Sequence, residues 1–495
     1  MKTQVTIVGA GPVGLTMAAE LARYGVSVRI FDRAAQRTDK SKAVVLWSRT
    51  LELLDRSGCA DAFAAAGNQI EAANIIADSR VIGHINISEV DSCYPFALAL
   101  PQSDTERLLE EHLARLGVSV ERQKELSSFH QNENGVTAIL RNPVGKEEVI
   151  ETDWLIGCDG AHSAVRHGLG LSFLGDTLQS EYILADLGVA GYPLPTTEMV
   201  TYWHEDGVLM IIPLSATRFR VIADLGPSND SRPATPTLDE VQAIMDQRGP
   251  GGMSASDPIW LSVFRINERK VSSYRSGRVF VAGDAAHVHS PAGGQGMNTG
   301  MQDAFNLAWK LAFVCRGEAT GTLLDSYSVE RTAIADQVIK AAGQLTKVAG
   351  LRKRTAQTVR NLFGWLMLGL APVRKAMVDA MTEISIGYDH SPLNGPAFHR
   401  MPAPGRRLAP VSGQTPAGTG DRPRFALFAM PSSGTRALTE RFPSMIDVLI
   451  RPPVNPDVIV LVRPDGYVAC VVKADAADAI GDYLHAISFG VRIAA

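Results

Sequence analysis

Gly9-Ala10-Gly11-Pro12-Val13-Gly14 stands between a β-branched apolar run, residues 4–8, and a segment in which Leu15, Ala18, Ala19 and Ala22 recur at helical spacing. A second apolar run, residues 26–31, follows and ends at Asp32. Each glycine does something a side chain would obstruct. Gly9 allows a tight exit from the strand, Gly11 lets the backbone approach a pyrophosphate, and Gly14 lets helix and strand pack closely. The helix start faces the phosphates with its partial positive charge. An acid about 20 residues on can accept from ribose hydroxyls. Strand, turn, helix, strand and acid agree on an α/β fold with a Rossmann-like dinucleotide site, although the turn alone does not separate FAD from NAD.

A stretch far downstream separates them. Residues 278–287 read Arg278-Val279-Phe280-Val281-Ala282-Gly283-Asp284-Ala285-Ala286-His287, which places an acid just past a buried strand, where it can hold a ribityl hydroxyl. Ser290-Pro291-Ala292-Gly293-Gly294-Gln295-Gly296-Met297-Asn298 then leads into a helix over 303–314. Small residues leave room for a flat ring against the backbone, and N–H groups near Met297 and Asn298 stabilise negative charge on a reduced flavin. NAD makes no comparable demand late in a chain, so the cofactor read from these two stretches is FAD. A third stretch, residues 154–166, runs from a strand through Asp159-Gly160 into a short basic helix.

Bulk properties narrow the rest. A chain of 495 residues corresponds to about three domains at roughly 150 residues each. With 45% hydrophobic and 20% charged residues, large cores are feasible. A net charge of -4 gives no support for a nucleic-acid partner. The five cysteines form no Cys-x-x-Cys pair, which argues against a zinc ribbon or disulfide scaffold and fits a reducing cytoplasm. No run of about 18 uncharged apolar residues exists, so no membrane span is expected. The apolar patch over 362–373 reads as a buried or partner-facing helix.

Alternating segments between 173 and 264 predict an antiparallel sheet, punctuated by Pro, Gly, Ser and Thr over 226–236. Residues 391–420 are rich in Pro and Gly and read as a linker. The expected organisation is a cofactor domain over 1–175, with an excursion near 70–100 into a substrate domain. A mixed-sheet substrate domain follows over 176–270, and the cofactor domain resumes with helices over 271–390. The linker then leads to a small α/β unit over 421–495.

Together these motifs resemble the FAD-dependent aromatic-ring hydroxylases of the para-hydroxybenzoate hydroxylase type, over essentially the whole chain. The nearest subgroup acts on polyketides or phenols and carries a thioredoxin-like C-terminal domain, here without a Cys pair. The resemblance implies that Gly9, Gly11, Pro12, Val13, Gly14, Asp32 and Arg33 hold the ADP half. It implies further cofactor contacts at Lys42, Gln102, Leu126, Asp159, Gly160 and Arg166, ribityl binding at Gly283 and Asp284, and an isoalloxazine surrounded by Pro291, Gly294, Gly296, Met297 and Asn298. Asp32 stands where the family usually has Glu, and Lys42 where it has Arg, which loses the bidentate fork.

The implied reaction takes NAD(P)H as co-substrate to reduce the flavin. Dioxygen then adds to give a C4a-hydroperoxide, from which a small aromatic or polyketide-type substrate takes one oxygen atom. The cofactor carries this chemistry, so no catalytic acid or base is demanded. Tyr182, Tyr202, His204, Arg218 and Arg220 are candidates on the substrate sheet, with the ordinary strand role weighing more for each. Trp47 is placed near the ring or in the core. His287 and His289 lack further ligands, so no metal is expected. Baeyer-Villiger or decarboxylating oxygenation, an NAD-dependent dehydrogenase and a non-catalytic flavin-binding protein stay open as alternatives, and oligomeric state is unassigned.

Overall fold

Four parallel strands place the motif loops at one end of a sheet. Thr3–Val8 pairs in parallel with Val28–Phe31 on one side and Glu147–Gly157 on the other, and Glu147–Gly157 pairs in parallel with Val279–Val281. The register sets Val8 opposite both Phe31 and Gly157, and Gly157 opposite Val281. The turn after Val8, Asp32 after Phe31, Asp159 after Gly157 and Gly283-Asp284 after Val281 therefore emerge side by side. Carboxyl ends of parallel strands are where open α/β sheets bind ligands. The computed structural model describes residues 3–227 and 235–490, so 228–234 of the punctuated stretch lie outside the described residues. Val120–Glu121, Arg275–Ser276 and the hairpin Glu125–Asn132 with Gly135–Arg141 complete this eight-stranded sheet.

A second eight-stranded sheet is built from His287–Val288, Ser254–Lys270, Leu174–Ala190, Arg218–Pro227, Gly207–Pro213, Glu198–His204, Ala72–Ala77 and Arg80–Asn86, in that spatial order. Its pairs are antiparallel except Glu198–His204 with Ala72–Ala77. A three-stranded sheet of Val45–Leu46, Ala97–Ala99 and Asn68–Ile70 joins the two large ones. Strand alternation gives the second sheet two apolar faces. One packs Val200, Tyr202, Leu209 and Phe219 beneath the helix Leu238–Arg248. The other packs Met199, Trp203 and Ile212 against Val45 and Trp47.

At the C-terminus a four-stranded mixed sheet, Ile446–Arg451, Phe425–Phe428, Val458–Val462 and Val468–Lys473, carries the helices Ser433–Arg441 and Ala477–Phe489. A fully buried ion network welds it to the helices Gly296–Cys315 and Asp325–Ala349. Arg463 reaches Glu330 at 2.6 Å and Asp465 at 2.6 Å, and Lys310 of the helix Gly296–Cys315 reaches Glu330 at 2.7 Å. Removing one partner from such a network leaves an uncompensated buried charge. Residues 391–420 have no helix or named strand yet are stitched down. Gly395 and Gly405 donate to the carbonyls of Ala469 and Val468, and Arg407 pairs with buried Glu52.

The apolar patch over 362–373 is neither one helix nor buried. It spans the end of the helix Arg354–Leu368 and the start of Ala371–Met381, and Leu362, Phe363 and Leu366 are exposed.

Candidate functional site: a cofactor cradle facing an apolar sheet

The opening turn has the strain and room expected of a phosphate loop. Gly9 sits at φ +98°, and a Cβ there would lie 2.4 Å from the Cys158 carbonyl oxygen. A Cβ on Gly14 would lie 1.9 Å from the Gly9 carbonyl oxygen, whereas one on Gly11 would meet nothing within 4 Å. The open side is therefore at Gly11. The helix Pro12–Arg23 starts without a side-chain cap, so N–H groups of its first turn have no intrahelical partner. Asp32 braces the turn: its carboxylate accepts from Ala10 N–H at 2.7 Å and Ala34 N–H at 2.8 Å. Arg33 beside it is exposed, and the Leu126 side chain is 5% exposed in the core, which leaves only its backbone for a ligand.

The other loops close around this turn. A Cβ on Gly283, at φ +58°, would lie 2.7 Å from Val13, so the two motifs touch. Gly160, at φ +77°, has nothing within 4 Å of its missing Cβ. Asp159 accepts from Val165 N–H at 3.1 Å and so caps the helix Ala164–Gly168, while its second oxygen is buried without a partner among the described residues. Burial raises its pKa, against hydrogen bonds from Ser163 and the first amides of that helix. Arg166 bridges the loops, donating to Ala285 O at 3.2 Å and Ala161 O at 2.8 Å.

Asp284 is exposed to the cleft yet ringed by protein. Lost hydration raises its pKa above the ordinary value, against the opposing charges of His287 and Lys42. The Lys42 charge thus acts on Asp284 although 242 positions separate the two in the sequence. Gln102 holds the segment bearing Lys42: its amide oxygen accepts from Ala43 N–H at 3.2 Å, and its own N–H donates to Ala43 O at 3.0 Å.

At the far end, the helix Gly296–Cys315 also begins without a side-chain cap. Asn298 is spent on structure: its amide accepts from Trp47 N–H at 2.9 Å and donates to Val45 O at 2.8 Å and Gly294 O at 3.0 Å. Trp47 returns an indole N–H to Gly293 O at 2.9 Å. What this end offers a ligand is backbone at Gly296, Met297 and Asn298, with Pro291 exposed and Gly294 half-buried over it.

Several groups behind this wall are invisible to motif reasoning. Asp303, fully buried, accepts from Gly283 N–H at 2.9 Å, His287 at 2.8 Å and Arg331 at 2.6 Å. Burial works to raise its carboxyl, but Arg331 and His287 outweigh it and hold the pKa below the usual value. His287 is therefore a tether for the Gly283 turn. His289 donates from Nδ1 to Ser290 O at 2.9 Å. Burial, with His287 nearby, brings its pKa down to about 4, so Nε2 is a neutral acceptor, buried beside Gly296 without a partner among the described residues. Glu383, at φ +61°, accepts from Thr299 at 3.0 Å and Gln302 at 2.5 Å. Burial pushes its carboxyl up to about 8, against the Thr299 bond and the Arg331 charge.

Of the sheet candidates, Arg220 has the most informative place. Its guanidinium is fully buried, forks onto Asp186 at 2.6 and 2.5 Å, and donates to Lys42 O at 2.9 Å and to Ser41 O. It clamps the Lys42 loop to the second sheet. Tyr182 stacks on Phe264 at 5.7 Å on the same face. Tyr202 and His204 lie on the opposite face, away from Trp47, and Arg218 bonds the Asp257 carbonyl at the sheet's edge. A cavity of about 480 Å³ elsewhere, between Arg80–Asn86 and Ala371–Met381, is lined by none of the predicted site residues.

These features define a dinucleotide-binding flavoprotein whose cradle faces a sheet. The residues fit FAD: an open glycine turn, two uncapped helix starts and, between them, one Asp159 carboxylate oxygen buried without a partner among the described residues. A family model described as "FAD binding domain" matches residues 2–342. The chain is 38% identical over 399 residues to the 6-methylpretetramide 4-monooxygenase of Streptomyces rimosus, covering 79% of this chain and 71% of that protein. It is 32% identical to an uncharacterized aromatic compound monooxygenase of Bacillus subtilis, over 97% and 96% of the two chains. Among solved structures, the OxyS anhydrotetracycline hydroxylase of Streptomyces rimosus superposes with a TM-score of 0.81 at 28% identity, over 99% of each chain. The chain belongs to this FAD-binding family and is a flavin-dependent monooxygenase with NAD(P)H as co-substrate.

Proposed function

We propose that the enzyme hydroxylates a flat, electron-rich, fused-ring aromatic of the polyketide type, using dioxygen, in the cytoplasm. The observation that carries this reading is a half-buried apolar stripe. Met210, Ile222, Tyr182 and Phe264 lie along the face of the second sheet that packs onto Trp47, and none is fully covered. Such a surface takes a planar apolar ligand by area, with few polar anchors. Relatives named for 6-methylpretetramide and anhydrotetracycline support the class.

In this reading Gly9, Gly11, Pro12, Val13 and Gly14 receive the pyrophosphate, with Asp32, Arg33 and the Leu126 backbone at the adenosine end. Lys42, Gln102, Asp159, Gly160 and Arg166 line the middle, and Gly283 and Asp284 hold the ribityl chain. Pro291, Gly294, Gly296, Met297 and Asn298 back the isoalloxazine. When bound, FAD supplies hydride acceptance from NAD(P)H and oxygen-atom transfer from dioxygen. The protein contributes position and field. First-turn amides of Gly296–Cys315 stabilise negative charge beside them, Asn298 locks the loop to Val45 and Trp47, and Arg220 fixes Lys42 over the cleft.

A substrate panel tests this. NAD(P)H oxidation coupled to hydroxylated product is expected with fused-ring phenols and not with single-ring phenols. Coupled turnover of single-ring phenols, with fused-ring ones inert, would overturn it.

A further inference from the structure

The helix Arg354–Leu368 turns its apolar side outward. Its inner side meets the edge of the second sheet, where Arg360 stacks on Trp203 at 4.6 Å and Gly364 lies against Ile82 and Trp203. On the outer side, Val359, Leu362, Phe363, Leu366 and Leu370 recur at helical spacing, each between 49% and 67% exposed, with Trp365 beside them at 58%. Contiguous apolar exposure of this kind marks an interaction surface.

Charge says what covers it. Residues 337–378 contain no Asp or Glu and eight Lys or Arg, in a chain whose net charge is -4. Arg352, Lys353 and Arg354 precede the stripe and Lys375 follows it, all exposed. The acids that reach them lie outside this segment, two on the second sheet and its turn and one a turn further along the helix Ala371–Met381. Asp224 pairs with Arg352 at 3.0 Å, Glu205 with Arg354 at 2.9 Å and Asp379 with Lys375 at 3.2 Å. The first two hold the helix on the sheet's edge. A second copy would set one acid-free segment against another, which like charge disfavours. A cationic helix with an outward Leu, Phe and Trp face matches one lying in the interface of a bilayer. No helix among the described residues is long and apolar enough to cross one.

We propose that this helix docks the enzyme peripherally on an anionic lipid surface, its stripe entering the headgroup layer and its flanking cations contacting lipid phosphates. The test is flotation of the full-length, FAD-loaded protein with vesicles of phosphatidylcholine alone or mixed with phosphatidylglycerol. Each Lys or Arg near an anionic surface multiplies binding about fivefold, so anionic vesicles should bind at least about tenfold better, and less so at high salt. Trp365 fluorescence should shift to the blue on binding. Phe363→Glu with Leu366→Glu should abolish flotation while flavin content and NAD(P)H oxidation persist, and Lys353→Glu should weaken it alone. Equal binding to both vesicle types, no binding at low salt, or flotation unchanged in these variants would overturn the proposal. Concentration-dependent self-association abolished by Phe363→Glu would assign the stripe to a second copy instead.

Discussion

Replacing Arg220 by Met should separate what its guanidinium does for stability from what it does for the cofactor. The fork onto Asp186 and the bonds to the carbonyls of Ser41 and Lys42 are all made in a fully buried position. Arg220→Met leaves Asp186 buried and unpaired, and truncating one partner of a buried pair costs about 3–5 kcal/mol. Adding Asp186→Leu removes that charge, so the double variant should recover most of the loss. It should not recover the clamp on residues 41 and 42. Two lost bonds at about 1 kcal/mol each predict FAD binding weaker by roughly tenfold to thirtyfold in the double variant. Urea unfolding of the apoprotein by tryptophan fluorescence measures the first effect, provided the slope is unchanged, and flavin titration measures the second. A double variant as unstable as the single one, or one that binds FAD with wild-type Kd, would refute the reasoning.

Gly14→Ala should yield protein nearly free of flavin, because its Cβ would sit 1.9 Å from the Gly9 carbonyl oxygen; the ratio of visible to ultraviolet absorbance of purified protein reads this directly. Glu383→Gln should remove a pH dependence. The folded pKa of about 8 lies above the ordinary 4.5, so the neutral carboxyl stabilises the fold fully below pH 4.5 and loses that contribution as pH rises to about 8. The loss is on the order of 4 kcal/mol across that window. Thermal unfolding from pH 5 to 8 should show the Gln variant gaining on wild type as pH rises, and a pH-independent difference would count against it.

The cradle was legible in the sequence wherever local geometry demands a small residue or a strand-end acid. Gly9, Gly14 and Gly283 announce themselves because a Cβ collides there, and Asp32 and Asp284 because they end buried strands. The clamp and the tethers were not legible. Arg220 and Lys42 are 178 positions apart, Asn298 and Trp47 251, and Arg463 and Glu330 133. Nothing in either local sequence records such a pairing, which arises only when sheets close on each other. Asn298 shows the difference well. Its motif marks it as a site residue, but its amide is used to hold Trp47 and Val45. Tyr202 shows it for the sheet, since alternation says that neighbours face opposite ways but not which face meets the cofactor. For the apolar patch over 362–373 the sequence left a buried and a partner-facing helix open, because apolar content alone does not distinguish them; the exposure of Leu362, Phe363 and Leu366 excludes the buried one.

The most direct test of the account is the fate of labelled dioxygen. Turnover of a fused-ring phenol with NAD(P)H under ¹⁸O₂ should give a product carrying one labelled oxygen atom on an intact ring system. A ring-expanded or decarboxylated product, or NAD(P)H oxidation with no label in any product, would contradict it.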